Sequence, residues 1–354
     1  MIAVVLSLLG LWGCLSIYNA TIYSGEPFIL AARQFAWLAA GILVFVAVSM
    51  ADFGWFSRNA PYLAVPVFLA LLVLLVLDMR VNGMKGWFSV STGFGRFSLQ
   101  PSEFGKPVFI LLLCWLHKKY PSWKGSIILV AVAAAWMVAV AAEPDFGTAL
   151  VYFSAFAAFM FMSRWKPGYM VVLFLIALPV AVWIASSDDF VVKRRILGFL
   201  YPEEYSSNAG WHVLQFRYAL ARGGFLGAGW GESLWSNSFL PLAPSDSAFA
   251  SLVEAVGFAG AFPVIAGFSL LLIMGFRLSG MIRDESASLY VAVFSVTLCV
   301  QAFIHISVNL GLFPTTGVTL PMFSYGGSSM MSTMLGMGIL AGSYRMRERR
   351  AEQS

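Results

Sequence analysis

The chain has 354 residues, of which 60% are hydrophobic and only 11% are charged. A soluble protein of this length does not need so much apolar surface, whereas a chain whose helices are solvated by lipid does. The formal net charge of +5 is typical of the basic bias on the inner side of membrane proteins and does not indicate nucleic-acid binding. The three cysteines lie in apolar segments without ligand spacing, which argues against a disulfide framework and a zinc site.

Ten apolar stretches follow one another along the chain. They fall at about 1–19, 28–50, 60–78, 102–117, 126–142, 147–163, 168–186, 247–276, 286–308 and 322–343. Most of them are long enough to cross about 30 Å of hydrocarbon as a helix. The eighth is longer, so part of it is expected to lie outside the bilayer. The sequence therefore predicts an all-α, polytopic integral membrane protein, with residues 1–354 forming a single membrane domain.

The distribution of Lys and Arg predicts the orientation of these helices. With the N-terminus in the cytoplasm, three short outer connections (20–27, 143–146 and 309–321) contain no Lys or Arg. The basic residues of the inner loops and the tail are then Arg58, Lys118, Lys119, Lys124, Arg164, Lys166, Arg277, Arg283, Arg345, Arg347, Arg349 and Arg350. Both termini are therefore predicted to be cytoplasmic.

Two outer segments, 79–101 and 187–246, do carry basic residues, which long loops tolerate. These residues belong either to a solvated loop face or to a surface that binds an anionic lipid head group. The longer segment contains an amphipathic stretch (211–221) followed by a glycine-rich run (223–231). No strand precedes that run, so a nucleotide cradle is not predicted. Its glycines are expected to permit tight turns and a close backbone approach.

Charged residues at the ends of the apolar stretches are the candidates for function. Glu103 and Lys106 lie three positions apart, on one helix face, and form either a structural ion pair or a head-group site. In the connection between the fifth and sixth stretches, Asp145 is placed to cap the following helix. Glu143, beside it, has no such structural explanation.

Asp246 and Glu254 lie where the long outer segment returns to the membrane. They are about two helical turns apart, so both could face one side if the segment is helical. Asp246 is suited to two roles, a helix N-cap or a general base with a raised pKa at an apolar boundary. The three histidines lack metal spacing, and no Gly-x-Ser-x-Gly elbow supports a hydrolase triad.

Four separated stretches form a recognisable set of motifs. They are Asn82–Trp87 with Gln100–Lys106; Glu143–Ala149; Arg194–Leu200 through Gly210–His212, Gln215 and the glycine-rich run to Asp246, Glu254, Gly257 and Gly260; and Asn309 with Pro314–Ser329. Together they resemble the SEDS family (shape, elongation, division and sporulation), whose branches are FtsW, RodA and SpoVE. Their order and spacing cover nearly the whole chain. Thr319–Pro321 and Phe146 favour the FtsW/SpoVE branch, whereas the lack of an N-terminal extension favours RodA; the FtsW-like interpretation is preferred.

The resemblance implies a peptidoglycan glycosyltransferase with ten helices in the bacterial cytoplasmic membrane. Such proteins polymerise lipid II, an undecaprenyl-pyrophosphate-linked disaccharide peptide, into β-1,4 glycan strands. They work with a class B penicillin-binding protein that crosslinks the strands, and with other membrane proteins of the divisome or elongasome. Nucleic acid is not an expected partner.

The resemblance also assigns roles to residues of this chain. Asp246 is implied to be the catalytic residue, taking the proton from the acceptor's 4-hydroxyl as that oxygen attacks the donor's anomeric carbon. Lys106 is implied to contact the donor pyrophosphate, with Arg194, Arg195 or a divalent cation as further sources of positive charge. The other residues assigned to substrate binding are Lys85, Trp87, Glu103, Gln215 and Glu254. Those assigned to structural motifs are Asp145, Ser324, Gly326 and Gly327.

The chain departs from the family pattern near these residues. Gly86 precedes Trp87, where relatives often have a basic residue, and Lys85 stands one position earlier. Around Asp246 the chain has Leu242 where Glu is usual, and Ser245 and Ser247 where Thr and Phe are usual. These departures spare the aspartate but alter its neighbours.

Two other functions remain open from the sequence. A transporter or flippase for a lipid-linked precursor would use the membrane-embedded Glu and Lys and would require alternating access. A non-catalytic scaffold that activates the penicillin-binding protein would be consistent with the altered neighbours of Asp246. A polymerisation assay with purified protein discriminates among the three functions.

Overall fold

The computed structural model describes residues 2–23, 27–77, 80–81, 84–92, 95–143, 145–163, 191–207 and 210–352. The predicted seventh helix (168–186), Arg164, Lys166 and Pro144 lie outside the described residues. Within these ranges the chain is mainly helical, with two short antiparallel hairpins between residues 80 and 99.

The helices begin and end at defined positions. In chain order they are α1 (Ile2–Ala20), α2 (Pro27–Met50), α3 (Phe53–Val76), α4 (Pro101–Lys119), α5 (Trp123–Ala141), α6 (Phe146–Met162), α7 (Val191–Leu200), α8 (Trp211–Gly223), α9 (Leu234–Ser238), α10 (Ala248–Met281), α11 (Glu285–Asn309) and α12 (Gly327–Glu352). The hairpins pair β1 (Arg80–Val81) with β2 (Met84–Lys85), and β3 (Phe88–Thr92) with β4 (Gly95–Leu99).

Each predicted apolar stretch that falls on described residues contains a helix, but two helix starts were predicted wrongly. α3 begins at Phe53, not near residue 60, and continues through Pro61 and Pro66. Surrounding helices and local adjustment satisfy the backbone groups that proline leaves free in a membrane helix. The last helix begins at Gly327, not near 322, because the preceding apolar residues form a turn in which Met322 has a φ of 65°.

Six of the described helices are long and apolar enough to cross a membrane, namely α1, α2, α3, α5, α10 and α11. In the apolar windows of α2 and α3 only 17% and 22% of residues are buried inside the protein. Such exposed apolar faces are stable in lipid and unstable in water. The chain is therefore a multi-pass membrane protein.

α10 is broken at Gly257, whose φ of 68° and ψ of 179° are not helical. The break frees the carbonyls of Glu254 and Ala255, which accept N–H groups from the glycine-rich run at 2.8 and 3.1 Å. In return, Phe258 and Ala259 donate to carbonyls of that run at 3.1 Å each. This pairing confirms the predicted close backbone approach of the glycines.

The described residues form two compact units, each assembled from separate parts of the chain. The first takes in Met1–Ala36, Arg164–Ser269 and Val300–Gly326. The second takes in Trp37–Ser163, Leu270–Cys299 and Gly327–Ser354, and its core is α4, which packs against α3, α5, α6 and α12. We describe the candidate site separately in each unit.

The close approach at the helix break gives a stability prediction. Gly227 has a φ of 90°, and a Cβ there would overlap the carbonyl oxygen of Ala255. Gly231 has a φ of 85°, and a Cβ there would meet nothing within 4 Å. Backbone strain alone costs about 1–3 kcal/mol in either case.

Gly227→Ala should therefore lower the thermal unfolding midpoint in detergent more than Gly231→Ala does. Equal losses in the two variants would show that the loop does not press against the broken helix.

Candidate functional site

Asp246 lies in the turn that leads into α10, two positions before its first residue, Ala248. The carbonyl of Leu242 closes this turn by accepting the N–H groups of Ser245, Asp246 and Ser247 at 2.9, 3.1 and 3.4 Å. The side chain of Asp246 is half-buried. Ser247, not Asp246, directly precedes α10. The N-cap position is therefore one residue later than the alternative that placed it at Asp246. The general-base alternative stays a prediction.

The backbone around Asp246 is held through three consecutive carbonyls, those of residues 244–246. The first accepts the N–H of Tyr325 at 2.7 Å. The second accepts the hydroxyl of Ser324 at 2.7 Å, and the third accepts Nδ2 of Asn309 at 3.0 Å. These donors are distant in sequence, so the turn is fixed by tertiary contacts.

The segment that contains Ser324 is itself fixed by Gln34, a fully buried residue of α2. Nε2 of Gln34 donates to the carbonyl of Ser324 at 3.0 Å, and its Oε1 accepts the N–H of Gly326 at 3.2 Å. The hydroxyl of Ser324 also accepts the N–H of Leu320 at 3.0 Å. Ser324 and Gly326 were predicted as structural-motif residues. Ser324 binds the turn directly, and Gly326 binds Gln34, which in turn holds Ser324. Gly327, the third of these, begins α12 and packs closely against Trp37.

Glu254 is fully buried, and protein groups surround its carboxylate. It accepts the N–H groups of Trp235 and Ser236 at 2.8 and 2.7 Å and the hydroxyl of Ser236. Nε of Arg222 lies 3.2 Å from its Oε1. Because α10 begins only after Asp246, the helical spacing considered for Asp246 and Glu254 does not apply. These contacts hold the loop before α10 to that helix; a role of Glu254 in substrate binding stays a prediction.

The same loop is tied to the end of α1 by Asn19, which was not predicted. Its Nδ2 donates to the hydroxyl of Ser233 at 2.9 Å, and its Oδ1 accepts the N–H of Gly231 at 2.7 Å. Its carbonyl accepts Nδ2 of Asn237 at 3.1 Å, and Tyr23 donates its hydroxyl to the carbonyl of Gly231 at 2.8 Å. Nothing in a single sequence signals a pairing over such a separation.

Two of the basic residues in segment 187–246, Arg194 and Arg195, lie on α7. Arg194 is exposed there, and Arg195 is partly exposed. On α8, burial and then the charge of Arg195 lower the pKa of His212. Gln215, also on α8, is buried, and among the described residues its Oε1 has no hydrogen-bond partner.

In the second unit, Glu103 and Lys106 form a buried ion pair. Nζ of Lys106 lies 2.8 Å from Oε2 of Glu103, and each side chain is only 6% exposed. The carbonyl of Glu103 accepts the hydroxyl of Ser332 at 2.6 Å, which fixes the start of α4 against α12. The geometry matches the ion-pair alternative and leaves the head-group alternative as a prediction.

Asp145 caps α6, as predicted, because its Oδ1 accepts the N–H of Thr148 at 3.0 Å. Its Oδ2 accepts Nε2 of Gln100 at 3.1 Å, which joins the start of α4 to the start of α6. Burial raises the pKa of Asp145, although the hydrogen bonds from Thr148 counteract the rise.

Glu143 is fully buried, and among the described residues neither of its carboxylate oxygens has a hydrogen-bond partner. Gly86, whose φ is 134°, lies close to this carboxyl group: a Cβ placed on Gly86 would be 3.0 Å from Oε2 of Glu143. Burial, and then the charge of Asp145, raise the pKa of Glu143 to about 8. Trp87 is half-buried next to Gly86, while Lys85 lies in β2 with its side chain outside the described part of the structure.

A divalent cation is one of the sources of positive charge expected from the sequence, and it stays a prediction. Among the described residues, no group of three or more His, Cys, Asp or Glu side chains lies close enough together to hold a metal ion.

Known proteins resemble this chain over nearly its full length. The family model described as a cell cycle protein, which groups FtsW, RodA and SpoVE, matches residues 1–348. A relative from Alkalilimnicola ehrlichii, named "Probable peptidoglycan glycosyltransferase FtsW", is 32% identical over 93% of this chain and 83% of its own length. "Stage V sporulation protein E" of Bacillus subtilis is 32% identical over 89% of this chain and 87% of its own length.

Two solved structures have the same fold. One comes from work titled "Structural coordination of polymerization and crosslinking by a peptidoglycan synthase complex" and has a TM-score of 0.81 at 24% identity, covering 98% of this chain and 97% of that one. The other is the rod shape determining protein RodA of Thermus thermophilus, with a TM-score of 0.69 at 22% identity, covering 98% and 96%.

The buried carboxyl of Glu143 gives a pH-dependence prediction. Its folded-state pKa of about 8 lies above the usual 4.5, so the folded protein binds a proton that the unfolded chain releases between these values. The proton stabilises the folded state fully below pH 4.5, and this stabilisation is lost as the pH rises through about 8.

Relative to Glu143→Gln, the wild-type protein should therefore lose thermal stability between pH 5 and pH 8, a range within these two pKa values. Parallel curves of unfolding midpoint against pH for the two proteins would contradict a raised pKa.

Proposed function

Because the chain belongs to the FtsW/RodA/SpoVE family of cell cycle proteins, we propose that it is a peptidoglycan glycosyltransferase. It polymerises lipid II into β-1,4 glycan strands at the outer face of the bacterial cytoplasmic membrane. The activity named for its relatives supports this function, as do the motifs that the chain shares with the family.

One observation links the proposed activity to a particular residue. Asp246 has a half-buried side chain on a turn whose carbonyls at 244–246 are all held by hydrogen bonds. A general base needs this combination, because it must stay accessible to substrate while keeping a fixed position.

In the proposed reaction, Asp246 accepts the proton of the acceptor's 4-hydroxyl while that oxygen forms a bond to the anomeric carbon of the donor. The bond from this carbon to the pyrophosphate breaks, and undecaprenyl pyrophosphate leaves with inversion. Positive charge stabilises the leaving group as its charge develops. Lys106, Arg194 and Arg195 are the proposed sources of that charge.

The membrane setting follows from the positions of the basic residues. We place both termini in the cytoplasm, with the long outer loop and Asp246 on the opposite side, where the donor's sugar head group lies. The partners are a class B penicillin-binding protein, which crosslinks the product, and other membrane proteins of the divisome or elongasome. Among the branches we favour an FtsW-like role.

The first test is polymerisation of lipid II by the purified protein together with its penicillin-binding protein. Asp246→Ala should lower the rate by at least about a hundredfold, since a general base contributes about 10²–10⁴. Asp52→Ala is the matched control, because Asp52 is an exposed carboxylate that precedes α3 without a capping hydrogen bond.

The alternatives give different results in this assay. Full activity of Asp246→Ala removes the assigned base. Translocation of lipid II in proteoliposomes without polymerisation favours a transporter, and complementation of a deletion strain by Asp246→Ala favours a scaffold.

A second test separates the two roles of the Glu103–Lys106 pair. Lys106→Met leaves a buried carboxylate without its ion partner and should destabilise the protein by about 3–5 kcal/mol. Glu103→Gln combined with Lys106→Met removes both charges, so the unfolding midpoint should recover.

If Lys106 also contacts the donor pyrophosphate, the stable double variant should still fail to polymerise lipid II. Wild-type polymerisation by that double variant would reduce the pair to a structural role.

A further inference from the structure

We propose that Asn309 is a positioning residue for proton transfer, since its single amide group fixes both the backbone of Asp246 and the first turn of α10. This inference rests on the proposed role of Asp246 as the general base. It assigns to Asn309 a contribution to turnover, which acts through Asp246 and not through contact with substrate.

The amide of Asn309 is fully buried and uses both of its ends. Its Oδ1 accepts the N–H of Ala250, a first-turn group of α10, at 2.9 Å. Its Nδ2 donates to the carbonyl of Asp246 at 3.0 Å and to the carbonyl of His305, one turn earlier in α11, at 3.0 Å. First-turn N–H groups have no partner within their own helix. The side-chain oxygen of Asn309, on α11, therefore accepts an N–H group that the side chain of an N-cap residue usually accepts.

Asn309 differs in one respect from the other residues that hold this turn. Tyr325 and Ser324 bind the carbonyls of Pro244 and Ser245, whereas Asn309 binds the carbonyl of Asp246 itself. It therefore sets the position of the Asp246 backbone relative to the start of α10. A displacement of about 1 Å in a reacting group can lower a rate by about a hundredfold, so this contact affects the chemical step.

The chemistry of the side chain makes the role testable. Asn309→Asp keeps an oxygen that accepts from Ala250. It loses the amide N–H donor, and at a pH where its carboxyl is ionised it has no proton to donate to the carbonyl of Asp246, so the variant is assayed on the alkaline side of its own titration. Asn309→Ala removes both contacts. Thr297→Val is the matched control, because Thr297 is buried on the same helix and its hydroxyl donates only to the carbonyl of Val293, at 2.7 Å.

The experiment measures the initial rate of polymerisation against lipid II concentration for the full-length protein with its penicillin-binding protein. We expect Asn309→Asp to lower kcat at least tenfold while KM stays within twofold, because positioning acts on the reacting groups and not on ground-state binding. Thr297→Val should keep both values. An unchanged kcat in Asn309→Asp, or a loss that appears in KM alone, would overturn the proposal.

A second arm repeats the substitution in the Asp246→Asn background. If Asn309 acts through Asp246, Asn309→Asp should leave the residual rate of Asp246→Asn unchanged; a further tenfold loss would assign Asn309 a separate role and refute the proposal.

Failure of Asn309→Asp to fold, while Thr297→Val folds, would make Asn309 a purely structural residue and would also refute the proposal. The rate of Asp246→Asn alone is measured first. Full activity of that variant would show that Asp246 is not the general base, which is a failure of the proposed function and not of the role of Asn309.

Discussion

A helix that breaks must find new partners for the backbone groups that the break releases, and the loop that precedes α10 is organised around that need. The break in α10 at Gly257 releases the carbonyls of Glu254 and Ala255, and the glycine-rich run binds them. The pairing brings that run alongside Glu254. The carboxylate of Glu254, buried by the same packing, then accepts the N–H groups of α9 and pairs with Arg222. One backbone constraint therefore orders the loop that leads to Asp246.

The contacts that hold Asp246 are made mainly to main-chain groups, so most of them do not depend on the unusual side chains around it. Leu242 stands where the family pattern has an acid, but its contribution to the turn is a carbonyl that accepts three N–H groups. Ser245 likewise contributes its carbonyl, to the hydroxyl of Ser324. Ser247 is the exception, since its hydroxyl donates to the carbonyl of Pro241. The contacts that fix the turn thus survive most of the changes, so the altered neighbours are no argument against a working base.

Local sequence signals predicted much of this architecture. Hydrophobic length located the helices, the Pro-Asp-Phe-Gly pattern located the cap at Asp145, and the glycine spacing located the close backbone approach. The residues that hold the candidate base were harder to find. Gln34 reaches Ser324 and Asn19 reaches Ser233 across most of the chain, and buried amides of this kind look like any polar residue in an apolar helix. The helix starts at Phe53 and Gly327 were missed because hydropathy reports burial in lipid and not backbone conformation.

The departure at Gly86 lies beside the buried carboxyl of Glu143. Relatives often have a basic residue directly before Trp87; here Lys85 stands one position earlier, and the backbone of Gly86 lies against the carboxyl of Glu143. Burial disfavours the ionised form of a carboxyl group, so Glu143 takes up a proton more readily than an exposed glutamate does. The pKa of Glu143 is accordingly raised to about 8. In its neutral form, Glu143 places no second negative charge beside Asp145.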